Sequence, residues 1–288
     1  MSLPSAMRIE RYSLRYPGRL QAVSDVRLAA TVILARPEFE VYLTRRSTRS
    51  AFAPNAFVFP GGTIDAQDAS SAAQSRTLGL EPDRLGREFR AAISPDLVCT
   101  EPPIDRDAAR ALLVAALREL FEEAGVLLGC TAAMRPIDTA ALDKVRLTAQ
   151  RTALRSGTLT FASLLEDHDW YADARNLTLF SHWITPASER RRYNTHFFFA
   201  AAPADQAALA DAFETHDGVW MTPSEALARH RRGEMHLVYP TIKHLERLAG
   251  FNSLDAALDF ARSKPIVTVM PAESDDEFVL PPNLEGAW

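Results

Sequence analysis

The sequence predicts an α/β fold, with a mixed sheet covered by helices on both faces. Three observations carry this. Two apolar runs close to the start, residues 26–35 and 39–44, read as neighbouring strands. A long Ala- and Leu-rich run over residues 107–124 reads as a helix. Beyond residue 177, two further strand-like runs lead into helical patterns, and strands and helices in this order suggest helical layers around one sheet. With 288 residues, 47% of them hydrophobic, the chain can bury one large core.

Each element has its own signal. Residues 26–35 (VRLAATVILA) form a continuous apolar strand, Pro37 interrupts it, and residues 39–44 (FEVYLT) alternate, which makes a hairpin. Residues 57–59 are a short apolar strand that ends in a Pro60-Gly61-Gly62 turn. Residues 69–107 carry Ser70, Ser71, Pro82, Gly86, Pro95, Pro102 and Pro103, so a helix or two between loops is expected there, not a core strand. The helix over 107–124 has Asp107 in its first turn and Gly125 just past its end, suited to a left-handed cap. Residues 138–155 read as an amphipathic helix, and residues 177–184 and 195–201 as strands. A short strand at 218–221 precedes Thr222-Pro223, which opens a helix over 224–230. Helices over 239–249 and 253–262, a strand-like run at 266–270 and an acidic stretch at 274–277 complete the chain. The reading is one domain, 1–288, with an insertion over 69–107 and a C-terminal helical extension and tail over 222–288. No Gly-x-Gly-x-x-Gly follows the first strand, so a dinucleotide-binding fold has no support.

Composition narrows the function classes. A net charge of −5 gives no support for non-specific nucleic-acid binding. Cys99 and Cys130 lack Cys-x-x-Cys spacing and read as reduced residues, not a structural zinc site. No apolar run reaches the roughly 20 residues of a spanning helix, and the first residues lack the apolar stretch of a secretory signal. The expected setting is cytoplasmic.

One segment carries chemistry. Arg118-Glu119-Leu120-Phe121-Glu122-Glu123-Ala124-Gly125-Val126 places Glu119, Glu122 and Glu123 on one helix face, because residues three and four apart are neighbours there. Three carboxylates this close repel one another unless a cation sits among them. Hard oxygen ligands favour Mg²⁺ or Mn²⁺, and Mg²⁺ is commonly shared with substrate phosphates. Arg118 stands four residues before Glu122 and can hold it as an i,i+4 pair. Alone, a Glu-x-x-Glu-Glu is usually a solvated acidic face; here Arg118, Gly125 and the upstream glycine pair fall into a common pattern with it.

That pattern resembles the signature of the Nudix hydrolases: a Gly, five residues, an acid, seven residues, then Arg-Glu-apolar-x-Glu-Glu-x-Gly-apolar. Gly62 matches the first glycine, Asp68 takes the acid position usually held by Glu, and Arg118 to Val126 match the remainder. The departure is in spacing, with forty-nine residues (69–117) where the pattern has seven. Closing a longer loop costs entropy only logarithmically, so the two parts can still meet. A long insertion at this place also resembles the branch of peroxisomal coenzyme A diphosphatases and their bacterial relatives. So do Tyr42 to Ser47 with Phe57 to Gly62, and Ser181 to Pro186 with Arg192 to Phe198.

The resemblance implies a Nudix α/β/α sandwich with a helical insertion inside the signature and extra C-terminal helices. It implies Glu119, Glu122, Glu123 and the Gly62 carbonyl as ligands of Mg²⁺ or Mn²⁺, with Arg118 orienting them. Glu214, six residues before Trp220, looks like the family's late Glu; it and Glu123 are the candidates for general base, with Glu189 as a rival. Asp68 is expected to pair with an Arg or support the metal shell. Arg45, Arg46 and Arg49, and Arg190 to Arg192 with Arg190 and Arg192 foremost, can clamp phosphates, since guanidinium forks match phosphate oxygens. The implied reaction is hydrolysis of a diphosphate bond in a nucleotide-derived small molecule. Coenzyme A or acyl-coenzyme A leads, giving 3′,5′-ADP and (acyl-)4′-phosphopantetheine. ADP-ribose or NADH, and a non-catalytic ligand-sensing use of the same scaffold, stay open. So does a homodimer; no nucleic-acid or membrane partner is expected.

Overall fold

The first strand organises the molecule, because three others pair with it. The computed structural model describes residues 26–48, 53–89, 104–138, 143–204, 206, 208, 215–274, 277–280, 282, 284 and 288. Strand β1 (Arg27–Arg36) turns at Phe39, whose φ is 57°, into β2 (Glu40–Arg46), with Ala35 opposite Val41. β3 (Phe57–Val58) pairs with β2, and β4 (Gly61–Thr63) pairs antiparallel with the beginning of β1, Ala30 opposite Gly62. On its other edge β1 runs parallel to β9 (Tyr193–Ala201), from Arg27 opposite Tyr193 to Ala35 opposite Ala201.

The expected Gly-Gly turn is therefore a strand. Neither glycine is in the left-handed region; both stand in close approach, Gly61 to backbone and Gly62 to the Glu119 side chain. A Cβ at Gly61 would stand 2.4 Å from the Ala30 carbonyl oxygen. Steric intimacy between two backbones is a use of glycine that looks the same as a turn in the sequence.

Between β4 and the long helix lie α1 (Ser71–Ser75), β5 (Thr77–Leu78) and α2 (Pro82–Glu88). Then come α3 (Arg106–Ala124), β6 (Gly129–Thr131), α4 (Lys144–Arg155), α5 (Phe161–Asp167), β7 (Trp170–Asp173) and β8 (Thr178–Ile184). After β9 follow β10 (Thr215–Met221), α6 (Pro223–Arg231), α7 (Tyr239–Leu248), α8 (Leu254–Ser263), β11 (Thr268–Val269), β12 (Ala272–Ser274) and β13 (Glu277–Val279). The main sheet has the order β10-β2-β1-β9-β8-β11 and is mixed, as expected. The insertion holds the two helices expected, α1 and α2, and adds the two-residue strand β5, which joins β7 and β6 in a second, three-stranded sheet. Its strands are two to four residues long, too short to show a period, and their pairing partners are remote in sequence.

Side chains of β1 alternate between two cores. Ala30, Val32 and Leu34 face a cluster built around α3, with Leu112, Leu113 and Leu120. Ile33 and Ala35 face the opposite cluster, where Leu245 and Leu248 of α7 and Ala257 and Ala261 of α8 pack. α3 is buried almost all round, so its alanines permit close packing on the sheet. It begins at Asp105, whose side chain accepts the Ala108 N–H, and ends at Gly125 with φ 69°. No helix among the described residues is long and apolar enough to cross a membrane.

Candidate active site

The two parts of the split motif meet. β4 lies along β1 and against the last turns of α3, although the insertion separates the two in sequence. Gly61 N–H donates to Glu123 Oε2 at 2.9 Å. Glu119 presses on Gly62 so closely that a Cβ there would lie 2.3 Å from its Oε1. With a glycine at 62 the Glu119 carboxylate can occupy the side-chain position; any larger residue would make it move.

Arg118 ties these pieces together. Its five N–H groups make five hydrogen bonds. Nε and Nη2 form a fork onto Asp68 Oδ1 and Oδ2 at 2.8 and 2.9 Å, and Nη2 also donates to the Thr63 carbonyl at 3.2 Å. Nη1 donates to Glu119 Oε1 at 2.9 Å and to Glu122 Oε1 at 3.1 Å. Asp68 is fully buried and also accepts the Asp65 N–H at 2.8 Å, so the acid before the insertion anchors the arginine after it.

The electrostatics follow from burial. Desolvation opposes charge on Arg118, yet its hydrogen bond to Asp68 and the nearby Glu119 and Glu122 carboxylates hold its pKa above the ordinary value. Burial pushes Glu119 up to about 7; Arg118 pulls it down and Glu122 pushes it further up. Glu122 is also raised, again chiefly by burial, against the pull of Arg118. Among the described residues no three acidic, His or Cys side chains converge into a ready metal cage. The carboxylates are instead turned to Arg118 and to the Gly61 N–H.

The carboxylates open onto a cleft of about 500 Å³. Its floor is β4 with Ala29 and Thr31 of β1; Tyr193, Thr195 and Phe197 of β9 form a second side. Val238, Pro240 and Thr241, at the start of α7, face it, and Leu154, Arg155 and Gly157 close the side next to α3. Arg27, Arg46, Arg118 and Arg155 are the arginines that line it.

The residues singled out from the sequence separate into groups. Glu119, Glu122, Glu123, Arg118, Gly62 and Arg46 all line the cleft. Arg45 and Arg190 are not among its lining residues; Arg45 Nη2 donates to Asn55 Oδ1 at 3.4 Å, and Arg190 is exposed. Arg192 is buried, with Nε donating to the Thr185 carbonyl at 3.1 Å. The rival Glu189 does not line the cleft either. Arg49 and Glu214 lie outside the described residues. Sequence reasoning did not find Arg27, Arg155 and Tyr193. Only the i,i+4 spacing of Arg151 and Arg155 offered a hint, and it does not say which way the pair faces.

A family profile described as the NUDT19 Nudix domain matches residues 20–248. The chain is 31% identical over 272 residues to acyl-coenzyme A diphosphatase NUDT19 of Homo sapiens, covering 79% of this chain and 70% of that protein. It is 29% identical over 233 residues to the Xenopus laevis protein of the same name, covering 74% of this chain but only 60% of the frog protein. A crystal structure of a NUDIX hydrolase from Alicyclobacillus acidocaldarius superimposes with a TM-score of 0.65 at 27% identity, over 83% of this chain and 97% of that one. The chain belongs to the NUDT19-type Nudix domain family.

Proposed function

We propose that the chain hydrolyses the diphosphate bond of coenzyme A or an acyl-coenzyme A, releasing 3′,5′-ADP and the corresponding 4′-phosphopantetheine. The observation that carries the reading is the contact of the carboxylate stripe with the Gly61-Gly62 strand across the insertion, at the base of an arginine-bearing cleft. Two relatives named acyl-coenzyme A diphosphatase support the choice of substrate.

The donor set suits a hard divalent cation. Glu119, Glu122 and Glu123 offer carboxylate oxygens, and the crowding at Gly62 leaves its backbone, not a side chain, against Glu119. These residues, with the Gly62 carbonyl, would hold Mg²⁺ or Mn²⁺. The ion would supply charge neutralisation on the diphosphate and an acidified water. The protein's own groups do the rest. Arg118 fixes Glu119 and Glu122 through one guanidinium nitrogen, and Asp68 fixes Arg118. Gly61 N–H orients Glu123 through Oε2, and Glu123 takes a proton from the attacking water, with Glu214 as the alternative base. Arg27, Arg46 and Arg155 hold phosphate oxygens, and the first turn of α7 adds the positive end of its dipole.

The test is incubation with coenzyme A, an acyl-coenzyme A, ADP-ribose and NADH in Mg²⁺ or Mn²⁺, read by product mass. The expected products are 3′,5′-ADP and 4′-phosphopantetheine species. Preferential cleavage of ADP-ribose or NADH would overturn the substrate. Unchanged turnover by Glu122→Gln/Glu123→Gln would overturn the site.

A further inference from the structure

Helix α4 reaches the last turn of α3 with two guanidinium groups. Arg151 Nε and Nη2 donate to the Glu122 carbonyl at 3.2 and 2.9 Å, and Arg155 Nη2 donates to the same oxygen at 3.2 Å. That oxygen is one of the carbonyls a helix end leaves without an intrahelical donor. The Gly125 N–H closes the left-handed cap on Phe121 instead, at 2.9 Å. Three N–H groups on one carbonyl exceed its two lone pairs, so the clamp is more than a minimal cap.

The surroundings are shaped for it. Arg151 is buried, and its Nη1 lies 3.0 Å from where a Cβ at Gly125 would stand. Gly125 thus serves the cap and also leaves room for the guanidinium. Arg155 both touches the carbonyl and lines the cleft. The pinned residue is the one whose side chain shares Arg118 with Glu119.

We infer that Arg151 and Arg155 are positioning residues that fix the last turn of α3, and through it the mutual placement of the Glu119, Glu122 and Glu123 carboxylates. The inference rests on the cation-binding reading above. Helix ends fray where their last carbonyls are unsatisfied. Without the clamp the carboxylates keep their charge and lose their common geometry. Outer partners of this kind are typically worth about 10- to 100-fold in metal affinity.

The experiment is Mn²⁺ titration of the full chain, with free Mn²⁺ read by electron paramagnetic resonance, beside thermal melting. The variants are Arg151→Met, Arg151→Lys, Arg151→Met/Arg155→Met and, as a control, Leu147→Ala, which loosens the packing of α4 without touching the clamp. The double variant is expected to bind Mn²⁺ about 10- to 100-fold more weakly. Arg151→Lys should recover only part of the loss, because an ammonium offers no fork. Leu147→Ala should melt earlier with its Mn²⁺ affinity kept. Should the double variant fail to fold, Arg155→Met alone, at a half-buried position, is expected to weaken Mn²⁺ severalfold. Clamp variants within twofold of the parent, or an equal loss in Leu147→Ala, would overturn the inference alone. A parent chain that takes up no Mn²⁺ would overturn it together with the cation-binding reading.

Discussion

The two faces of the central sheet treat buried charge in opposite ways. Under α3, Arg118 spends every donor on carboxylates and one carbonyl, and stays charged despite burial. On the other face, Lys264 Nζ is buried with no hydrogen-bond partner among the described residues, 4.8 Å from the Phe180 ring centre and 5.6 Å from that of Phe260. Burial, helped by repulsion from Arg247, pushes its amine down to about 7. The first face holds charge as a paired network with defined geometry. The second holds an amine among aromatic rings, where burial without a hydrogen-bond partner works against its charge. A buried charge points to a site when its partners are arranged around it, and only to tolerance when they are not.

Removing Arg118 breaks this contrast most severely. Arg118→Met leaves Asp68 fully buried without its counter-charge, and loss of one member of a buried pair costs about 3–5 kcal/mol. Urea unfolding should show that loss; a change under about 1 kcal/mol would mean the network is replaceable packing.

Gly62→Ala sharpens the comparison on the same face. The new methyl would displace Glu119, which stands 2.3 Å from the position of its Cβ. Turnover of coenzyme A is expected to fall about 10- to 100-fold, as for disturbance of a ligand's support, with a smaller change in melting temperature. Undiminished turnover would separate Glu119 from the chemistry.

The third test belongs to the aromatic face, where the effect is confined to a pH window. The folded-state pKa of Lys264, about 7, lies below its ordinary 10.5, so between these values the unfolded chain binds more protons than the folded one. Stability of the parent should therefore rise with pH across that window, and the cost of charging the buried amine is fully present below pH 7. Lys264→Met removes this dependence. It should be more stable than the parent at pH 6, with the gap closing toward pH 10; a gap that ignores pH would show that the amine finds water or a partner.

Much of the fold was legible because it is written in local periodicity. The limits of α3, its acidic first turn and its Gly125 cap follow from composition and spacing, and the β1–β2 hairpin from alternation around Pro37. The β5-β7-β6 sheet was not legible, since two- to four-residue strands carry no period and find partners far along the chain. Gly61 and Gly62 were visible as special residues, but a turn and a close approach leave the same mark. The cleft arginines divide for a similar reason. Arg45 and Arg46 are adjacent in β2, where alternation sends neighbours to opposite faces, and only Arg46 lines the cleft.

By itself the sequence determined the kinds of groups available. It put three carboxylates and an arginine on one helical face, and it supplied a glycine pair and an acid to meet them. These are matters of spacing along a helix or strand, and short-range geometry is nearly the same wherever such a segment occurs. The tertiary structure alone decided that Asp68 would meet Arg118 across the insertion, that α4 would clamp the Glu122 carbonyl, and that Arg27, Arg46 and Arg155 would share one cleft. Those contacts join residues remote in sequence, and they form only when burial of the two cores brings their backbones together.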